Sequence, residues 1–183
     1  MSESELIRKC KQGDNKARKE LYRLYASKML GLSFRYVGNT EVAHDLLHDG
    51  FLKVFTSIQS FNYQGEGSLS AWLYKIFLNI SLEYLRKKDV LKDGFSLDEY
   101  SDLPVEVDMD ANELPMELLM NFIAELPPGY RTVFNLYVFE EWSHKEIAQY
   151  LHINEKSSTS QFFRARKLLA VRVKEALKER EQI

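Results

Sequence analysis

Acidic and imidazole side chains crowd one short stretch, where His44, Asp45, His48 and Asp49 follow one another closely. Two histidines four residues apart on a helix could hold a metal, and paired carboxylates could do acid–base work or bind Mg²⁺. Neither has the company such chemistry needs. No activated nucleophile, glycine-rich phosphate loop or Cys/His ligand spacing occurs. The plainer reading is an exposed helix face, with no catalytic residue, metal or cofactor. One other group suits non-covalent recognition. Lys156, Ser157, Thr159, Ser160, Phe163, Arg164 and Lys167 combine cations, short hydroxyls and one aromatic ring. Such groups meet phosphates, base edges and a thymine methyl.

These residues need helices to position them. Pro is confined to 104–128, which leaves long uninterrupted stretches on either side. Asp14 is placed to cap a helix over Asn15–Val37, with Ala17, Leu21, Leu24, Met29 and Leu32 inward and Gly38-Asn39 as its stop. Thr40 is read as the cap of the next helix, whose inner stripe is Ala43, Leu47, Phe51, Val54 and Ile58. On its opposite face lie Asp45, His48, Asp49 and Leu52. Residues 61–68 read as a loop, and a third helix follows over Leu69–Lys88. That helix is apolar on nearly all sides, so Asn79 reads as a buried amide in need of partners. It ends in Arg86-Lys87-Lys88, which suits the negative end of the helix dipole. Further helices are expected over Pro115–Leu126 and Tyr130–Phe139. No strand pattern and no internal repeat appear.

The net charge of -2 conceals its distribution. Residues 1–92 hold 15 Lys/Arg against 10 Asp/Glu, and 129–183 hold 10 against 7. Between them, 93–128 holds 10 acidic residues and no basic one. Two basic blocks flanking an acidic segment imply two surfaces able to approach phosphate. The predicted organisation is all-α: a helical domain over 1–92, an acidic linker over 93–112, and a second helical domain over 113–183. No apolar run is long enough for a transmembrane span, and the acidic N-terminus lacks a signal peptide's layout. A cytoplasmic protein without stable membrane insertion is expected. The lone Cys10 is read as a small, partly buried residue.

Residues 142–170 carry the sharpest local pattern. Ser143-His144-Lys145-Glu146 has capping-box spacing. A short helix over His144–Leu151 turns Ile147, Ala148 and Leu151 inward, His152-Ile153 makes a turn, and Asn154 caps a longer helix. There Ser158, Phe162, Ala165 and Leu169 should face the core, leaving the Lys156–Lys167 group outside. This is a helix-turn-helix suited to the major groove. His152 stands where such turns often have Gly, but His tolerates the left-handed backbone better than most residues.

With both halves in view, the chain resembles the extracytoplasmic-function branch of the sigma-70 family. Asp45-Leu46-Leu47-His48-Asp49-Gly50-Phe51-Leu52-Lys53-Val54-Phe55 is similar to that family's region 2.2. Ser68 to Asn79, followed by Tyr84-Leu85-Arg86-Lys87-Lys88, is similar to regions 2.3 and 2.4. Leu126-Pro127-Pro128-Gly129-Tyr130-Arg131-Thr132-Val133-Phe134 is similar to region 4.1. Trp142 to Ala148 with Ser160 to Leu169 is similar to region 4.2. Regions 1.1 and 3 of larger sigma factors have no counterpart.

The resemblance implies a factor that binds core RNA polymerase and directs transcription initiation at promoters. Asp45, His48, Asp49 and Leu52 would dock on the β′ clamp helices, with the β flap as a second polymerase contact. The minus-ten element would be melted and captured by Phe61, Tyr63, Trp72, Lys75 and Asn79, although Phe61 and Trp72 could equally be core. Arg86, Lys87 and Lys88 would touch phosphates. Lys156, Ser157, Thr159, Ser160, Phe163, Arg164 and Lys167 would read the minus-thirty-five element. An anti-sigma factor is the implied regulatory partner. Three positions depart from the family pattern. His48 stands where Gln is usual, Ser158 replaces a small apolar residue, and Thr159 a common basic one. The alternative is a helix-turn-helix regulator of response-regulator type that needs no polymerase.

Overall fold

The structure, a computed structural model, describes residues 1–88 and 114–181. The predicted acidic linker, 93–112, lies outside the described residues. The chain divides into two compact units, Met1–Tyr84 and Leu85–Ile183. Every regular element among the described residues is a helix. The first unit holds α1 (Glu3–Lys11), α2 (Asn15–Val37), α3 (Thr40–Ser57), a one-turn 3₁₀ helix (Ile58–Ser60) and most of α4 (Ser68–Lys87). The second holds α5 (Met116–Glu125), α6 (Pro128–Val138), α7 (His144–Leu151) and α8 (Glu155–Glu181).

Helix α1 is an element the sequence reading passed over. The Ser2 hydroxyl accepts from the Glu5 N–H, acidic residues open the helix, and Arg8, Lys9 and Lys11 close it. Both charge groups match the helix dipole. Its inner side buries Leu6, Ile7 and Cys10. Cys10 is fully rather than partly enclosed, and burial pushes its thiol pKa up.

Asp14 caps α2 as its position suggests, accepting from the Lys16 and Ala17 N–H groups at 2.7 and 3.2 Å. Gly38 ends the helix in the left-handed conformation, φ 65°, and donates to the Phe34 carbonyl. Leu24, expected inward, is 50% exposed. The buried line runs through Ala17, Leu21, Met29, Leu32 and Tyr36. A step of about 100° per residue carries Leu24 off its edge. Asn39, rather than Thr40, caps α3: its side chain accepts from the Val42 N–H at 2.9 Å, and Thr40 is already helical.

The inner stripe of α3, Ala43, Leu47, Phe51, Val54 and Ile58, is buried throughout. Gly50 belongs to the same face. A Cβ there would stand 2.1 Å from the Phe77 ring of α4, so the two helices approach as closely as they do only because this residue has no side chain. Phe51 and Phe77 meet edge-on nearby, with centroids 5.4 Å apart.

In the second unit, Pro128 opens α6, where its missing N–H costs nothing. Arg131 is buried and donates to the Ala124 and Leu126 carbonyls, closing the otherwise unsatisfied end of α5. Desolvation lowers its guanidinium pKa to about 10. Phe122, Ile123, Leu126, Tyr130 and Phe134 form a core with Ala165, Leu169, Val173 and Ala176 of α8. Among the described residues, no helix is long and apolar enough to cross a membrane.

Candidate nucleic-acid and protein interfaces

On α3, packing of the inner stripe fixes what points outward. Asp45, His48, Asp49 and Leu52 are all exposed, Leu52 by 53%. They share one face because spacings of three, four and seven residues return to the same side of a helix. The result is an apolar side chain standing among carboxylates and an imidazole. Among the described residues, no group of three potential metal-ligating side chains converges.

The second group lies on the 61–67 loop and α4. Phe61 is buried, and its ring packs on Trp72 with centroids 4.8 Å apart at 37°. Phe61 is therefore core, whereas the half-buried Trp72 keeps part of its indole at the surface. Tyr63, Lys75 and Asn79 are exposed. Asn79 is thus not the buried amide that the apolar run suggests. Ala71, Lys75 and Asn79 recur every four residues and make an outward stripe that the surrounding apolar residues disguise. Arg86, Lys87 and Lys88 are exposed at the end of α4.

The loop is shaped by Gly65 and Gly67, at φ 115° and 86°, a region closed to most side chains. The Ser68 hydroxyl donates to the Gly65 carbonyl at 2.6 Å and accepts from the Gln64 N–H at 3.3 Å. Helix α2 brings further cations to α4. The Lys28 ammonium donates to the Ser70 hydroxyl at 3.3 Å, and Arg35 donates to the Tyr74 hydroxyl at 3.0 Å. Sequence reasoning missed both residues. They lie about forty positions from their partners, and only the α2–α4 packing brings them together.

The helix-turn-helix forms as its caps dictate. The Ser143 hydroxyl accepts from the Glu146 N–H, and the Glu146 carboxylate accepts from the Ser143 N–H at 2.8 Å and the Ser143 hydroxyl at 2.6 Å. These bonds hold the Glu146 carboxyl below its ordinary pKa. His152 takes the left-handed conformation, φ 55°, and its N–H reaches the Ala148 carbonyl. Asn154 caps α8 through the Ser157 N–H at 2.7 Å. Ser158, one of the departures noted above, is fully buried, and its hydroxyl meets His144 Nδ1 at 2.9 Å. That imidazole also stacks on Tyr137, with centroids 4.5 Å apart at 16°. Here a polar pair lies beneath the start of α8.

Of the expected outer face of α8, Lys156, Thr159, Ser160 and Phe163 are exposed, Phe163 by 44%. The other three residues need correction. Lys167 is buried, at 7% exposure, with its ammonium 5.1 Å from the Phe163 ring centroid. Arg164 is half-buried, and its guanidinium donates to the Tyr130 hydroxyl at 3.3 Å. Ser157 is also half-buried, close to the cap. Helical spacing gives the direction of each Cβ, but the head group of a long cationic side chain can settle several ångströms away. Arg166, which the sequence reading left out, is exposed, with its guanidinium carbon 5.9 Å from the Phe162 ring centroid.

Comparison with known proteins bears on both units. The family model for Sigma-70 region 2 matches residues 21–90, and that for Sigma-70, region 4 matches residues 116–169. The ECF RNA polymerase sigma-E factor of Haemophilus influenzae is 31% identical over 181 residues, which covers 92% of this chain and 94% of that protein. The ECF RNA polymerase sigma factor SigW of Bacillus subtilis is 28% identical over 177 residues, covering 89% of this chain and 92% of its own. SigM of the same organism is 26% identical over 152 residues, covering 82% and 91%. With two region models matched in order, and a relative of that identity running nearly end to end, the chain belongs to the extracytoplasmic-function branch of the sigma-70 family.

Proposed function

We propose that this sigma factor holds core RNA polymerase with one face of α3, captures the melted minus-ten strand on α4 and its preceding loop, and reads minus-thirty-five duplex with α8. It directs promoter-specific initiation in the cytoplasm and carries out no chemistry of its own. The first module is assigned to 1–92 and the second to 113–183, with the acidic 93–112 stretch as tether.

The observation that carries this reading is the paired arrangement on α7 and α8. A capped short helix, a left-handed turn and a capped longer helix leave Lys156, Thr159, Ser160 and Phe163 outward. These are the sizes and chemistries suited to a major groove, and Arg166 extends them with an exposed cation. Arg164 and Lys167 become supporting residues that must leave their present partners to touch DNA. On α4, Tyr63 and Trp72 offer stacking surfaces backed by Phe61, while Lys75 and Asn79 supply a cation and an amide. Arg86, Lys87 and Lys88 would meet backbone phosphates.

The docking role of Asp45, His48, Asp49 and Leu52 is supported by an apolar anchor inside a polar rim, a pattern of protein interfaces. The β′ clamp helices would sit there, with the β flap engaging the second module. An anti-sigma factor would silence the protein by covering Leu52 or Phe163, an exposed apolar side chain on each proposed binding face.

Run-off transcription with purified core polymerase on genomic fragments tests the proposal. Discrete transcripts that depend on added protein are the expected result. Transcripts indistinguishable from those of core polymerase alone would overturn it. A footprint made by the protein with no polymerase present would point instead to a free-standing regulator.

A further inference from the structure

We infer that α1 is a clamp that sets the shape of the 61–67 loop, with Glu3 and Lys11 as positioning residues for capture of the unpaired minus-ten strand. The inference rests on the loop reading given above and deepens it.

Three observations carry it. First, the loop's own bonds sit at its far end, where Ser68 holds Gln64 and Gly65. Asn62, Tyr63 and Gln64 are exposed, and Gly65 and Gly67 sit at positive φ, where no side chain restrains the backbone. Second, α1 grips both ends. At the far end, the Glu3 carboxylate accepts from the Gly67 N–H at 3.1 Å and the Leu69 N–H at 3.2 Å. Those donors belong to the N–H groups without an intrahelical acceptor where α4 begins, and the positive helix end favours an anion there. At the near end, the Lys11 ammonium donates to the Phe61 carbonyl at 2.7 Å, and the Gln59 amide donates back to the Lys11 carbonyl. Third, α1 is itself anchored by the buried Leu6, Ile7 and Cys10, so the grip comes from a fixed body.

The matched region 2 begins at residue 21, so α1 lies outside it. Glu3 and Lys11 are separated by about 12 Å along the helix axis, and between them they fix the loop's chord. Phe61, held through its carbonyl, backs Trp72; Tyr63 follows two residues later. Charge-assisted bonds at both ends are the strong kind, and capture of a base depends on such positioning.

The test uses holoenzyme and a single-stranded oligonucleotide carrying the non-template minus-ten strand of a promoter mapped by run-off transcription. Glu3→Ala and Lys11→Met are each expected to weaken oligonucleotide binding about tenfold, the scale of one charge-assisted hydrogen bond. Affinity for core polymerase and minus-thirty-five duplex binding should stay as in the parent, while the melting temperature falls by the few degrees that such bonds are worth. Lys11→Arg, which keeps a cationic donor, should restore binding. Parent-like oligonucleotide binding by Glu3→Ala and Lys11→Met overturns the clamp. So does a loss matched by an equal fall in core affinity and not rescued by Lys11→Arg, which would mark a merely structural role. Tyr63→Ala separates the two levels. If it binds normally, the loop is not the capture site and both readings fail. If it loses binding while the α1 variants do not, the clamp alone fails.

Discussion

The outer faces of α3 and α8 are built by different means. On α3 the working groups are short and stand off a helix seated tightly against α4, where Gly50 lets the Phe77 ring close in. On α8 the groups are longer and lie against aromatic rings or hydroxyls: Lys167 near Phe163, Arg166 near Phe162, and Arg164 on the Tyr130 hydroxyl. The first face is a set plate, suited to a protein surface of fixed shape. The second holds its cations against neighbours that they can exchange for a phosphate; for the exposed Arg166 the contact with Phe162 is worth about 0.5–1 kcal/mol. Preorganisation therefore sits in the backbone seat of α3 and in the caps of α8, and the cations of α8 stay adjustable.

The hardest blow to that contrast is Gly50→Ala. Its methyl group must displace a ring that is itself fully buried. Overpacking of this kind costs about 1–3 kcal/mol, and separating α3 from α4 should impair polymerase and minus-ten binding together. Thermal unfolding and a core-binding assay check this; parent-like values in both would mean α3 is not a set plate. Leu52→Ala leaves that seat alone. It should weaken core binding about tenfold, the effect of losing an apolar anchor, with no fall in melting temperature. A pull-down titration reads the first and calorimetry the second.

On α8 the sharper comparison is Arg166→Ala with Lys167→Met. Loss of a phosphate-contacting cation reduces the slope of log affinity against log salt by about one. The exposed Arg166 should show this reduction in fluorescence anisotropy with minus-thirty-five duplex. The buried Lys167 should show a smaller one, because its ammonium must first leave the Phe163 ring. An equal reduction for both would mean that burial at Lys167 does not hold the ammonium back.

The same contrast explains what the sequence made legible. Short side chains on regular helices could be placed by spacing alone. Asp45, His48, Asp49 and Leu52 are exposed together, and the Ser143, His152 and Asn154 signals produced the cap, turn and cap they imply. Spacing failed where position depends on a partner distant in the chain. Arg164 reaches Tyr130, and Lys28 and Arg35 reach α4; Asn79 is a different case, since its four-residue spacing with Ala71 and Lys75 does mark an exposed stripe, which the apolar residues around it disguise. Helix α1 passed unnoticed because, at nine residues, it is too short for a convincing period, and its role depends on contacts with residues 59–69.

The smallest effect separates the caps of the two units by pH. Glu146 is held below its ordinary pKa first by the Ser143 hydroxyl and then by the Ser143 N–H. Asp14 is held low by the Ala17 and Lys16 N–H groups. A carboxyl whose folded pKa is depressed stabilises the protein above its unfolded pKa, and that stability disappears as pH falls through the folded value. Acidification through and below the ordinary carboxylate range should therefore loosen both caps. Glu146→Gln keeps an acceptor for the Ser143 N–H but cannot titrate, so it should flatten the acid response of α7 while that of α2 persists. Asp14→Asn should do the reverse. Amide hydrogen exchange, resolved by helix across a pH series, reads the two separately. If one substitution changed the acid response of both helices alike, the caps would not be independent and the contrast between the units would lose its footing.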